Sequence, residues 1–184
     1  MNAKVNAKVN ASLARKITAP LTFIRMAFIA LLLSGVAGTA TAGMEVHSVK
    51  SGDIVDLDTM IGQGKWTLVM IWHTNCHICH EQKPKISVFH DQHKDIDAHV
   101  VGIALDGPDR MGAVKAYIEK NKPTFPNYVG DIAIVASHYL SMTEESLRGT
   151  PTYLLFNPEG ELLGNNPGPL SVDAIESFMA RKSG

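Results

Sequence analysis

The chain has only two cysteines, and they stand two residues apart in Cys76-His77-Ile78-Cys79. Two thiols this close can hold a metal, tether a cofactor, or open and close a disulfide. A bridge here closes a loop too short to remove much entropy from the unfolded chain, so it is a poor staple. It is better suited to being made and broken. The surrounding order points the same way. Trp66-Thr-Leu-Val-Met-Ile-Trp72 is a near-continuous apolar run with β-branched and aromatic members, which predicts a buried central strand. A short turn follows, and Cys76 to about Gln92 predicts a helix with Ile86 and Phe89 on one face. Cys76 then stands at a helix N-terminus, where free N–H groups and the dipole favour negative charge. Thiol pKa values in such motifs fall from about 8.5 to roughly 3.5–7.5. Cys79 lies one turn on and on the same side. The expected chemistry has Cys76 as nucleophile and Cys79 as the resolving thiol, passing two electrons to or from the thiols of a partner protein.

The elements that must position this pair alternate. Ala98–Leu105 reads as a second buried strand, and Asp109–Asn121 as a helix with Met111, Val114, Ala116 and Ile118 on its apolar face. A short strand is expected at Asn127–Gly130 and a helix at Asp131–Tyr139. Thr152–Phe156, the turn Asn157–Gly160 and Glu161–Gly164 read as a hairpin. Ser171–Arg181 closes the chain as a helix with Ser171 as N-cap. The expected class is α/β, with a mixed sheet covered by helices on both faces.

Composition sets limits on partners. The 184 residues are 45% hydrophobic and 19% charged, normal for a globular domain, and a net charge of −1 does not suggest a nucleic-acid partner. The charge is unevenly spread. Residues 1–42 carry Lys4, Lys8, Arg15, Lys16 and Arg25 and no acidic side chain, leaving twelve basic against eighteen acidic residues in 43–184, a formal charge of about −6. The basic stretch, the apolar run Met26–Leu33 and the Ala40-Thr41-Ala42 site read as a secretory signal over 1–42. The alternative is an uncleaved anchor, since Met26–Ala42 is at the short limit for crossing a bilayer. Export, to a bacterial periplasm, suits a cysteine pair that cycles in an oxidising compartment.

Other readings attach to the histidines. His77, inside the loop, can hydrogen-bond or charge-stabilise the Cys76 thiolate and make the pair more oxidising; the alternative is a solvent-facing residue at the helix start. Cys76-x-x-Cys79-His80 also matches the c-type haem attachment pattern, with His80 as iron ligand. Two thiols near His73, His77 or His80 could bind Cu(I) or Zn(II). No metal site is expected as the main one. Trp66 and Trp72 read as core, with Trp72 also close enough in sequence to modulate the thiols. His90 and His93 read as charges favourable to a helix C-terminus, and Arg148 as a solvated loop charge or a steering group for an acidic partner. The segment Ser141–Leu147 is a loop or short helix suited to partner choice.

Ile71-Trp72-His-Thr-Asn-Cys76-His-Ile-Cys79 resembles the active-site segment of the thioredoxin superfamily. Pro84, five residues after Cys79, matches the proline that kinks that family's active-site helix, and Thr150-Pro151 before an apolar strand resembles its cis-proline segment. The resemblance covers about residues 45–182. The subgroup it is most similar to is the exported TlpA/ResA-like reductants associated with cytochrome c maturation, because the helix and short strand at about 109–130 match an insertion of that subgroup. The resemblance implies a thioredoxin fold with an inserted helix–strand unit over 43–184 and a monomer. It also implies protein thiols or disulfides as substrates, a membrane protein as electron donor, and no cofactor beyond the redox-active disulfide. Thr150 and Pro151 are implied to offer backbone to a partner's extended chain. Asn75 and Ile78 depart from the Trp and Pro usual in the subgroup, and Gln82, beside Glu81, stands where some members carry a glutamate. The residues before Cys76 do not match the Pro-x-x-x-Thr/Ser-x-x-Cys pattern of peroxidatic cysteines in such folds.

Overall fold

The computed structural model describes residues 43–183; the expected signal or anchor segment, 1–42, lies outside the described residues. The described strands are β1 (Glu45–Ser48), β2 (Ile54–Asp56), β3 (Trp66–Trp72), β4 (Ala98–Ala104), β5 (Asn127–Val129), β6 (Thr152–Phe156) and β7 (Leu162–Pro167). The helices are α1 (His77–His93), α2 (Met111–Asn121), α3 (Ile132–Thr143) and α4 (Val172–Lys182). One mixed sheet runs in the order β2-β1-β5-β4-β3-β6-β7. β3, β4 and β5 are mutually parallel, while β6 runs antiparallel to β3 and β7 antiparallel to β6. The inserted unit is therefore α2 with β5, which extends the parallel part of the sheet beyond β4.

The period of two along buried strands divides the core. Leu68, Met70 and Trp72 of β3 face a cluster completed by Cys79, Ile86 and Phe89 of α1, Val114 of α2 and Ile175 and Met179 of α4. Val69 and Ile71 face the other cluster, with Val135 and Tyr139 of α3 and Met44, Val46 and Leu57 from the N-terminal segment. All seven residues of β3 are buried, which is why they read as a continuous apolar run. β3 and β6 occupy the residues their patterns predicted.

Two local expectations differ, and two strands go unannounced by the pattern. β1 and β2 are short, and apart from the buried Val46 their residues are half-buried or exposed; they hold their places by pairing, so periodicity does not reveal them. On α2 the buried residue is Val114, flanked by Met111, Tyr117 and Ile118, and Ala116 faces out. His90 is not a charge at the end of α1. It is buried, its Nδ1 accepts the Val100 N–H at 3.1 Å, and burial pushes its pKa down. His93 instead joins α1 to α4, with Nδ1 2.7 Å from Asp97 and Nε2 3.3 Å from Glu176. Hydrogen bonds to both carboxylates hold its pKa up against the opposing and largest influence, desolvation.

Candidate active site

Cys76 is the N-cap of α1, at the end of the turn that leaves β3. Its sulfur does what a Ser or Asp oxygen does at most N-caps: Sγ accepts the Cys79 backbone N–H at 3.1 Å. The two cysteines are joined by a disulfide, with Cα atoms 5.2 Å apart. Cys76 is half-buried, whereas Cys79 is fully buried in the core cluster under β3. Any reagent arriving from solvent therefore meets Cys76 first. Pro84 lies inside α1, where its missing N–H leaves the His80 carbonyl without the usual helical partner.

The Thr150–Pro151 peptide bond is cis, and it lies beside the pair: Cys76 Sγ is 3.4 Å from the Thr150 carbonyl oxygen. The Thr150 segment is held from both sides. Thr152 Oγ1 donates to the Gly149 carbonyl at 2.7 Å, and Gly168 N donates to the Pro151 carbonyl at 2.8 Å. Cys76, Cys79, Thr150 and Pro151, 74 residues apart at the widest contact, thus form one site.

The turn before Cys76 is fixed by groups that sequence reasoning did not single out. The fully buried carboxylate of Asp106, two residues past the end of β4, accepts the Thr74 N–H at 3.1 Å and also the Thr74 hydroxyl. Gly107 follows with φ +84°, a left-handed value that glycine adopts freely, and turns the chain away from the site. His73 Nδ1 accepts the Asn75 N–H at 3.0 Å, so that nitrogen carries no proton in this arrangement. His80 Nε2 lies 2.8 Å from the Thr74 carbonyl and must be its donor, while its ring packs on Tyr117 at a centroid distance of 4.9 Å. An acid just past a long apolar run, as Asp106 stands after Ala98–Leu105, was the available signal. Asp106→Ala is expected to cost about 1–3 kcal/mol by leaving the Thr74 donors unmatched, read by urea unfolding of the disulfide form.

The remaining predicted modulators are placed differently from one another. His77 is exposed, and its Nε2 is 3.2 Å from Glu81; it makes no hydrogen bond to either sulfur. Trp72 is fully buried and its Nε1 has no partner among the described residues. Gln82 is buried and accepts from Tyr153 Oη at 3.2 Å and from Leu170 N at 3.1 Å. Lys83, which sequence reasoning passed over, is 3% exposed. Its spacing from Cys79 and Ile86 puts it on the inward face of α1, and a lysine there was the signal. Ser141–Thr143 complete α3, and Arg148 is exposed. Among the described residues no three side chains of the metal-ligating types converge, and no helix is long and apolar enough to cross a membrane.

The chain is similar to known proteins. The chain is 25% identical over 117 residues to sporulation thiol-disulfide oxidoreductase A of Bacillus subtilis, spanning 63% of this chain and 67% of that one. It is 21% identical over 128 residues to the thiol-disulfide oxidoreductase ResA of Halalkalibacterium halodurans, spanning 70% and 67%. A thioredoxin-family thiol:disulfide interchange protein from Chlorobium tepidum superposes with a TM-score of 0.63 at 18% identity, covering 77% of this chain and 95% of that one. That likeness establishes the thioredoxin fold. Residues 38–163 match the AhpC/TSA family, and the chain belongs to that family.

Proposed function

We propose that this thiol–disulfide oxidoreductase acts on protein disulfides outside the cytoplasm as a reductant, with Cys76 attacking and Cys79 resolving. The observation that carries the reading is the placement of Cys76. Its sulfur is the exposed member of the pair, it caps a helix N-terminus, and it lies against the Thr150 carbonyl. A thiolate there gains from the helix dipole and from the Cys79 N–H. Ile78, 43% exposed inside the motif, offers an apolar contact beside it. The backbone at Thr150 and Pro151 offers a partner chain hydrogen-bonding groups next to the attacking sulfur.

In the reductive half-cycle the Cys76 thiolate attacks a partner disulfide, and one partner sulfur leaves as thiolate. Cys79 then gives up its proton and attacks Cys76, releasing the second partner sulfur and forming the Cys76–Cys79 bond. The disulfide is itself the redox group, so this reading calls for no organic cofactor. Fresh electrons come from another dithiol, and an exported reductant needs a membrane protein to supply them. The leader-like composition of residues 1–42 supports export, with 43–184 as the working domain and a monomer as the working unit. The resemblance of the motif order to TlpA/ResA-like reductants supports the reductant direction, toward cytochrome c maturation.

The test is a glutathione redox titration read by intact mass after thiol alkylation. A reductant gives a midpoint near or below about −250 mV, and a midpoint near about −120 mV would instead make the protein an oxidant. If neither sulfur becomes alkylatable on reduction, the dithiol reading fails.

A further inference from the structure

Lys83 stands one turn after Cys79 on the inward face of α1, where residues four apart are neighbours. Its amine is enclosed. Nζ lies 2.7 Å from the centroid of the Trp72 ring and 4.0 Å from that of Tyr117, and it has no hydrogen-bond partner among the described residues. The groups around it come from every neighbouring element. β3 supplies Trp72, α2 supplies Tyr117, and the end of β4 supplies the Asp106 carboxylate. From α1 itself comes His80, packed on Tyr117, and from the turn comes His73, 3.7 Å from Asp106. Tyr153 of β6 reaches the same face of α1 through Gln82, its phenol kept neutral by burial. Asp106 is the single carboxylate in this set, and its oxygens are already taken up by Thr74. Burial therefore prevails over Asp106 and pushes the Lys83 ammonium down to about 6 while the pair is a disulfide.

We propose that Lys83 couples the redox state of the pair to proton binding: its enclosed, unpartnered amine takes up a proton when the pair is reduced. This rests on the dithiol reading above. A partner dithiol supplies two electrons and two protons and leaves as a disulfide. The Cys76–Cys79 bond breaks, Cys79 keeps one proton as a thiol, and the other proton goes to Lys83 Nζ, leaving Cys76 as thiolate. The new anion forms at the N-cap of the helix that carries the amine, seven residues or about two turns before Lys83 and so on the same face, and each charge favours the other. By the same reciprocity a protonated Lys83 holds the thiolate. The two ring faces give the ammonium a place to stay without a hydrogen-bond acceptor.

The experiment follows the Lys83 ¹³Cε resonance of the wild-type protein through a pH titration of the disulfide and dithiol forms. The expected midpoint is higher in the dithiol form by about one unit or more; equal midpoints overturn the inference. In Lys83→Met, the thiolate absorbance at 240 nm should titrate about one unit higher than in wild type, and an unchanged midpoint also overturns it. Reversible exchange with glutathione is measured first. A pair that does not exchange defeats the dithiol reading itself, whereas a pair that exchanges while Lys83 titrates identically in both states defeats only the coupling.

Discussion

Cys76→Ser is expected to abolish disulfide exchange, a loss on the order of 10³-fold or more, whereas Cys79→Ser stops the cycle halfway. The asymmetry follows from burial. Cys79 is 0% exposed and packed beneath β3, while Cys76 caps α1 at the surface beside Thr150. With serine at 79 the first attack still proceeds, but no thiol remains to displace the partner, so the mixed disulfide at Cys76 accumulates. With serine at 76 the remaining thiol is out of reach of a folded partner and lacks the N-cap position that favours thiolate. The measurement pairs turnover on a disulfide-bonded peptide with intact mass after incubation with oxidised glutathione. Cys79→Ser should gain one glutathione, and Cys76→Ser should gain none at the same exposure. Equal adduct formation by both variants would show that the burial difference does not set the order of attack.

Much of this site was legible because its determinants are local. The short spacing of Cys76 and Cys79, the apolar run before them and the helix after them lie within one stretch of chain, and β3 and α1 form where those patterns say. Thr150 and Pro151 are distant in sequence, and their place beside Cys76 was carried by resemblance, not by periodicity. The groups that hold the turn were not legible. Thr74 and Asp106 are 32 residues apart, and only the parallel pairing of β3 with β4 brings their ends together. Tyr117 was overlooked for a related reason. The stripe on α2 was assigned through Ala116, and the neighbouring tyrosine turns inward only because Trp72 and His80 present rings for it to pack on. His90 shows how a correct helix end can still mislead: its position suits a favourable charge, but the strand packed against it offers the Val100 N–H, and a neutral ring accepts it.

Lys83→Met is expected to stabilise the disulfide form at pH 7 by about 1–4 kcal/mol, because folding strips the lysine of hydration and of a proton that methionine does not have to lose. Methionine keeps the length of the chain and places a polarisable sulfur between Trp72 and Tyr117. The sign of the pH dependence follows from linkage. Lys83 binds its proton with a pKa of about 10.4 in the unfolded chain but of about 6 in the native disulfide form. Between those values the unfolded state holds more protons than the native state, so wild-type stability falls as pH drops from about 10 to about 6 and this contribution is flat below. Methionine removes that slope. The advantage of the variant should therefore be large at pH 6–7 and shrink toward pH 10, in urea unfolding followed across that range. The attraction of an ammonium for the two rings opposes burial, which keeps the gain below what the full displacement would give. A variant less stable than wild type at every pH would mean that the rings hold the cation at a net profit to the fold. A variant that is more stable yet has a raised thiol pKa would show that Lys83 is kept at a cost to folding for its effect on Cys76.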